Sequence, residues 1–186
     1  MPGHSTATAP AAHVARERSA AYFLGSPASV QGRAFGLSAL ERVHLVKQGV
    51  PARSVQEMSA AMGLPRDQLM RAVGLARSTV ERKIAARARL SEGESEKLVG
   101  LSRLIGQVDA MVRESGQAPD DFDAARWFAA WMAQPVAALG GLCPQELLDT
   151  ADGREALATL LLQSQAGVYA CNGSPPVSAR CALFRH

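Results

Sequence analysis

The side chains able to do chemistry in this chain are overwhelmingly ionic. Between Pro51 and Arg89 stand eight basic residues, Arg53, Arg66, Arg71, Arg77, Arg82, Lys83, Arg87 and Arg89, against three acidic ones, Glu57, Asp67 and Glu81, a local balance of +5. From Leu90 to Asp123 the count reverses to three basic and eight acidic, or −5. The whole chain carries only +3, so the distribution is what speaks: a cationic segment fit to meet a polyanion, followed by one that is not. Covalent and metal chemistry find no such concentration. His13 and His44 lie in unrelated contexts, and Cys143, Cys171 and Cys181 are odd in number, widely spaced and form no C-x-x-C pair. There is no Ser/His/Asp set, no paired carboxylates and no metal-ligand spacing. The expectation is a protein that binds rather than catalyses, with no cofactor.

The elements that must position these cations read as two short helices joined by a turn. In PRDQLMRAVGLARSTVERKIAARARL, residues 65–90, Pro65 suits the first turn of a helix because its missing N–H costs nothing there. Leu69 and Val73 give that helix its apolar side, Gly74 supplies the left-handed backbone of a sharp turn, and Leu75 plugs it. Ser78-Thr79-Val80-Glu81 reads as a capping box opening the next helix, with Ser78 as cap and Glu81 reaching back. Val80 and Ile84 then face inward and Arg77, Thr79, Arg82, Lys83 and Arg87 stay outside. This is the helix-turn-helix arrangement. Its candidate DNA-facing residues are Arg77, Ser78, Thr79, Arg82, Lys83 and Arg87, the first of them placed to reach base edges and the later cations to meet phosphates. A solvated basic face on an ordinary helical bundle carries the same pattern, so the residues by themselves leave both readings open.

Around this unit the chain reads as more helix. Leu40, Val43, His44 and Val46 mark one face of a helix ended by Gly49 and Pro51, and a second helix runs from about Val55 to Met62 and stops at Gly63. Residues 94–114 form a longer helix with Leu98, Leu101, Ile105, Val108 and Val112 on one side, and Glu92, Glu94 and Glu96 at its positive start. That stripe serves either a core or a dimer contact. GQAPDDFD, residues 116–123, is polar and proline-bearing, as domain boundaries are. Beyond it Trp127 and Trp131 share a helical face, with Trp127 read as core filling. Pro135 ends that helix, Gly140-Gly141 makes a turn, and Pro144 begins a short helix through Leu148. A final helix opens at Asp152 or Gly153, carries Leu157, Leu160 and Leu161, and closes at Gly167. The expected division is an arm at 1–36, a helix-turn-helix and dimerisation domain at 37–116, a small helical domain at 120–170 and a tail at 171–186.

Val, Ile and Thr number 21 together, well under half of Ala plus Leu. Stiff β-branched side chains suit strands, whereas Ala and Leu lose little freedom in a helix. The fold class expected is therefore all-α. No apolar run approaches the roughly 20 residues of a membrane span, no export signal is visible at the N-terminus, and isolated cysteines fit a reducing cytoplasm.

The last helical region resembles the C-terminal toxin-binding domain of Xre-type antitoxins in RES–Xre toxin–antitoxin systems. The matching elements are Trp131-Met132, Ala137-Ala138-Leu139-Gly140-Gly141, Pro144, Leu147-Leu148, Thr150, Gly153 and Gly167-Val168-Tyr169-Ala170. The upstream part resembles the same family's helix-turn-helix, so the likeness covers residues 37–170. It implies that the chain is not an enzyme. It further implies a partner that is a RES-domain, NAD-consuming toxin, whose active site the terminal segment blocks, and operator DNA bound for autoregulation by a homodimer or a larger complex with toxin. Trp131, Leu139, Gly140, Gly141, Pro144, Gly167, Val168, Tyr169 and Ala170 are the residues so implied for the toxin-binding surface or its scaffold. Cys143 departs from the small hydroxyl residue the family commonly has before the proline. Two further readings stay available from the residues: a stand-alone helix-turn-helix regulator, and an adaptor whose C-terminal domain only dimerises.

Overall fold

The computed structural model describes residues 33–116 and 121–165. Within them the chain is all-α, with eight α-helices: α1 (Arg33–Gly36), α2 (Ala39–Gln48), α3 (Ser54–Met62), α4 (Arg66–Ala72), α5 (Arg77–Ala85), α6 (Glu92–Glu114), α7 (Ala124–Met132) and α8 (Ala151–Gln165). Two 3-10 turns, Ala137–Leu139 and Pro144–Leu147, link the last two. The one β-like feature described is a single antiparallel bridge between Pro51 and Arg89, which staples the loops after α2 and α5 together.

α6 is the axis of the molecule. Ser91 caps its first turn in a capping box with Glu94. Its apolar stripe is buried, and so are Val99, Leu104 and Met111 outside that stripe. The helix is clasped by α1, α2, α7 and α8. Its stripe is therefore consumed inside the chain and is not free for the dimer contact entertained from the sequence. A single hydrophobic core runs from Leu45 through α6 to Leu161, joining the helix-turn-helix segment to the C-terminal one.

α2 corrects a second expectation. Ser38 and Glu41 close a capping box at its start, and the helix docks through Leu45 and, in part, Val46. Leu40 is 72% exposed, Val43 is 47% exposed and His44 is also exposed. Of the face marked by Leu40, Val43, His44 and Val46, only Val46 thus docks, because the spacing from Leu40 does not register which side α6 lies on.

Polar ties reinforce the junction between the two segments. Arg154 of α8 is 5% exposed; its guanidinium donates to the Leu148 carbonyl at 2.8 Å and to both Glu96 oxygens at 2.5 and 2.6 Å. The buried Gln107 side chain donates to the Ala158 carbonyl at 2.8 Å. Each satisfies a group that would otherwise be costly to bury.

Candidate functional site

The helix-turn-helix is α4, a turn at Val73–Ala76, and α5. Leu69, Val73, Leu75 and Val80 are all buried, with Leu75 under the turn. Gly74 has φ +66, and a Cβ there would stand 2.9 Å from the Asp149 Cβ and 3.0 Å from Lys97 Nζ. Lys97 reaches across from α6 to donate to the Gly74 carbonyl at 2.6 Å. The turn is thus pressed between α6 and the loop leading into α8.

α5 begins two residues earlier than a cap at Ser78 would place it. Its N-cap is Ala76, no side chain caps it, and Glu81 pairs with Arg66 at 3.1 Å instead of reaching back to Ser78. The Ser78 capping box is not formed. With no side chain across its N-terminal amides, α5 presents its positive end beside the exposed Arg77 and Ser78.

The cations divide into two kinds. Arg82 is exposed, and its side chain makes no hydrogen bond or ion pair among the described residues. Arg77 holds Asp67 at 2.7 Å, but both are exposed, so the pair is weak and exchangeable. Lys83, expected on the outer face, is instead turned inward: its ammonium binds the Glu94 carboxylate, and both side chains are mostly covered. The local pattern concealed this because Glu94 lies eleven residues on, across a loop. Burial pushes the Glu94 carboxyl up, but the hydrogen bonds from Lys83 and from the Ser91 backbone and hydroxyl outweigh it and hold the pKa below the usual value.

Arg87 is an outlier in backbone conformation. It has φ +50, the only positive φ outside glycine among the described residues. The amide of Arg87 donates to Ile84 and that of Ala88 to Lys83, which closes a Schellman cap on α5 with arginine where glycine usually sits.

The second candidate region is the loop between α7 and α8. Trp127 and Trp131 stack with ring centroids 6.0 Å apart, and Trp131 also meets Phe128 at 5.5 Å. Both tryptophans are partly buried against the core, as is Leu139, while Pro144 is buried. Gly140 and Gly141 are exposed, with φ +67 and +88. The loop is latched on itself: the Val136 amide donates to the Leu142 carbonyl at 3.1 Å, and the Gly141 amide to the Val136 carbonyl at 3.0 Å. At Cys143 the backbone does the capping: the Glu146 amide donates to the Cys143 carbonyl at 2.9 Å, and Glu146 Oε1 accepts from the Cys143 amide at 2.9 Å. Gly167, Val168, Tyr169 and Ala170 lie outside the described residues. Among the described residues no cluster of metal-ligating side chains occurs and no helix is long and apolar enough to cross a membrane.

Comparison with known proteins adds the following. Residues 41–103 match the antitoxin Xre-like helix-turn-helix domain, and residues 117–167 match the antitoxin Xre/MbcA/ParS C-terminal toxin-binding domain. The chain is 36% identical over 146 residues to the Prs ADP-ribosylating antitoxin of Sphingobium sp. (strain YBL2), covering 78% of this chain and 91% of that relative. It is 25% identical over 128 residues to the Antitoxin Xre of Yersinia enterocolitica serotype O:8, covering 68% of this chain and 80% of that relative.

Proposed function

We propose, from the premise that this chain belongs to the Xre/MbcA/ParS antitoxin family, that it neutralises a RES-domain, NAD-consuming toxin by blocking its active site and represses its own operon by binding the operator. A helix-turn-helix domain and a toxin-binding domain on one chain are the observation that carries this reading. The name of the Sphingobium relative couples an antitoxin to ADP-ribosylation, a reaction that draws ADP-ribose from NAD. That supports a toxin of this chemistry. The antitoxin needs no catalytic group of its own, since occupancy of a dinucleotide cleft is enough to stop turnover. Gly167, Val168, Tyr169 and Ala170 are the segment proposed to enter it.

On the DNA side, Arg82 and Arg87 supply free charge, Arg77 exchanges Asp67 for phosphate, and Ser78 and Thr79 stand at the uncapped start of α5. Lys83 acts through Glu94, holding α5 on α6 at the angle that presents the others. Operators of this kind are read by two copies. Phe35 on α1 and Leu40 and Val43 on α2, each exposed, support a homodimer built through these helices, since the α6 stripe is spent. The place of action is the cytoplasm.

The test is co-expression with the NAD-consuming protein encoded beside this chain. Growth returns, the two proteins copurify, and NAD turnover by the toxin stops. Removing residues 167–186 abolishes protection and leaves operator binding intact. A folded, soluble chain that leaves the toxin's NAD turnover untouched overturns the reading.

A further inference from the structure

The residues implied for the C-terminal module mix two roles, holding the module together and touching the partner, and the structure separates them. Trp131, Leu139 and Pro144 are packed into the core or buried. They build the platform. Gly140 and Gly141 are different. Among the described residues, no atom beyond the two flanking residues lies within 4 Å of where a Cβ would sit on either, so no packing neighbour there demands a glycine. Their left-handed backbone shapes a loop that its own amides latch, and the bare main chain it exposes is open to solvent. Exposed glycine on a rigid loop is where another protein's backbone can approach closely.

Beside them stands Leu142, 46% exposed. Its backbone carbonyl is fixed by the Val136 amide, and the thiol of the next residue, Cys143, lies 3.6 Å from the Ala133 carbonyl at the end of α7. Of the module's other leucines, Leu148, Leu157, Leu160 and Leu161 are buried and Leu139 and Leu147 are partly so, while Leu162 on α8 is 55% exposed but stands on a helix rather than on the latched loop. A leucine held outward at the rim of a bare glycine platform, with its backbone already latched, gives up little main-chain freedom on docking.

We infer that the surface Ala138–Gly140–Gly141–Leu142 is the direct contact with the toxin, with Leu142 as its apolar anchor, whereas Trp131, Leu139 and Pro144 only support it. The occupant is the toxin because this loop lies within the matched toxin-binding domain, residues 117–167. The inference rests on the antitoxin reading above. It adds a second attachment point, apart from the terminal segment that fills the NAD cleft.

The experiment compares the full chain with Leu142→Ala and Ala138→Arg. Affinity for the purified toxin encoded beside this chain is measured by titration calorimetry, and thermal melting is measured in parallel. Both substituted side chains are exposed, so melting stays at the parent value. Leu142→Ala weakens toxin binding by at least about tenfold, in the range of an interface anchor, and Ala138→Arg weakens it by steric block. Pro144→Ala, by contrast, lowers the melting temperature. If the parent binds the toxin and both exposed-loop variants bind it equally well, the contact assignment is wrong while the antitoxin reading stands. If the parent itself does not bind, the reading beneath it fails as well. A fall in operator affinity without a change in toxin affinity assigns the loop to a second copy and also overturns the inference.

Discussion

Of the turns built on positive-φ glycine among the described residues, two have opposite surroundings. Gly74, between α4 and α5, is hemmed in by Asp149 and Lys97, and its carbonyl is held by the Lys97 ammonium. At Gly140 and Gly141, between α7 and α8, an added Cβ would meet no packing neighbour among the described residues. The first is a crowded joint that seats the recognition helix on the rest of the chain. The second is a surface. The same residue type, in the same region of backbone space, thus serves assembly in one place and availability in the other. Only the neighbours distinguish them.

Gly74→Ala and Gly140→Ala sharpen that contrast most. Both place a Cβ in left-handed backbone, which costs about 1–2 kcal/mol. Gly74→Ala adds a collision with Asp149 and is expected to lose about 3 kcal/mol in all, against about 1 kcal/mol for Gly140→Ala. Urea denaturation of the two variants measures this, and equal losses would break the comparison.

Arg154→Leu attacks the joint from the other side. It removes the buried guanidinium between α8 and α6 and leaves the Leu148 carbonyl and Glu96 without it. Glu96 is about half exposed and can rehydrate, so the expected loss is about 2 kcal/mol, below that of a fully buried pair. The same denaturation reads it.

Arg87→Gly separates stability from binding by sign. Relief of the positive φ should stabilise the chain by about 1 kcal/mol. Operator affinity should fall, with the salt slope reduced by about 1 for one lost phosphate contact. A variant that is stabilised and binds DNA as the parent does would remove Arg87 from the interface.

The smallest effect is one of pH. The folded-state pKa of Glu94 is held below its ordinary value. Its pairing with Lys83 therefore contributes stability above an unfolded pKa of about 4.3, and that contribution is lost as pH falls through the lower folded value. Glu94→Gln should abolish this part of the acid limb, a difference of no more than about 1 kcal/mol for a pair near the surface. Parallel acid titrations of the two proteins would show whether the tie matters.

Much of this was readable in the residues. The helical class followed from Leu and Ala outweighing branched side chains, α3 and α4 from Gly63, Pro65 and Gly74, and the inward set Leu69, Val73, Leu75 and Val80 from spacing alone. The glycine pair and Pro144 marked the α7–α8 loop. What local pattern misjudged were choices between equivalent faces and partners: Leu40 over Leu45, Ser78 over Ala76 as the start of α5, and Lys83 as a free cation. Leu142 escaped notice because a leucine in sequence carries no sign of being left outside.

Short-range rules act within a turn or two of helix, so the sequence by itself determined which segments coil, where they stop and which side chains carry charge. Which apolar face meets α6, which lysine finds Glu94, and which glycine is crowded or bare depend on residues tens of positions apart. Those were decided only when one shared core brought the segments together, because burial is a property of the assembled neighbours and not of the stretch that is buried.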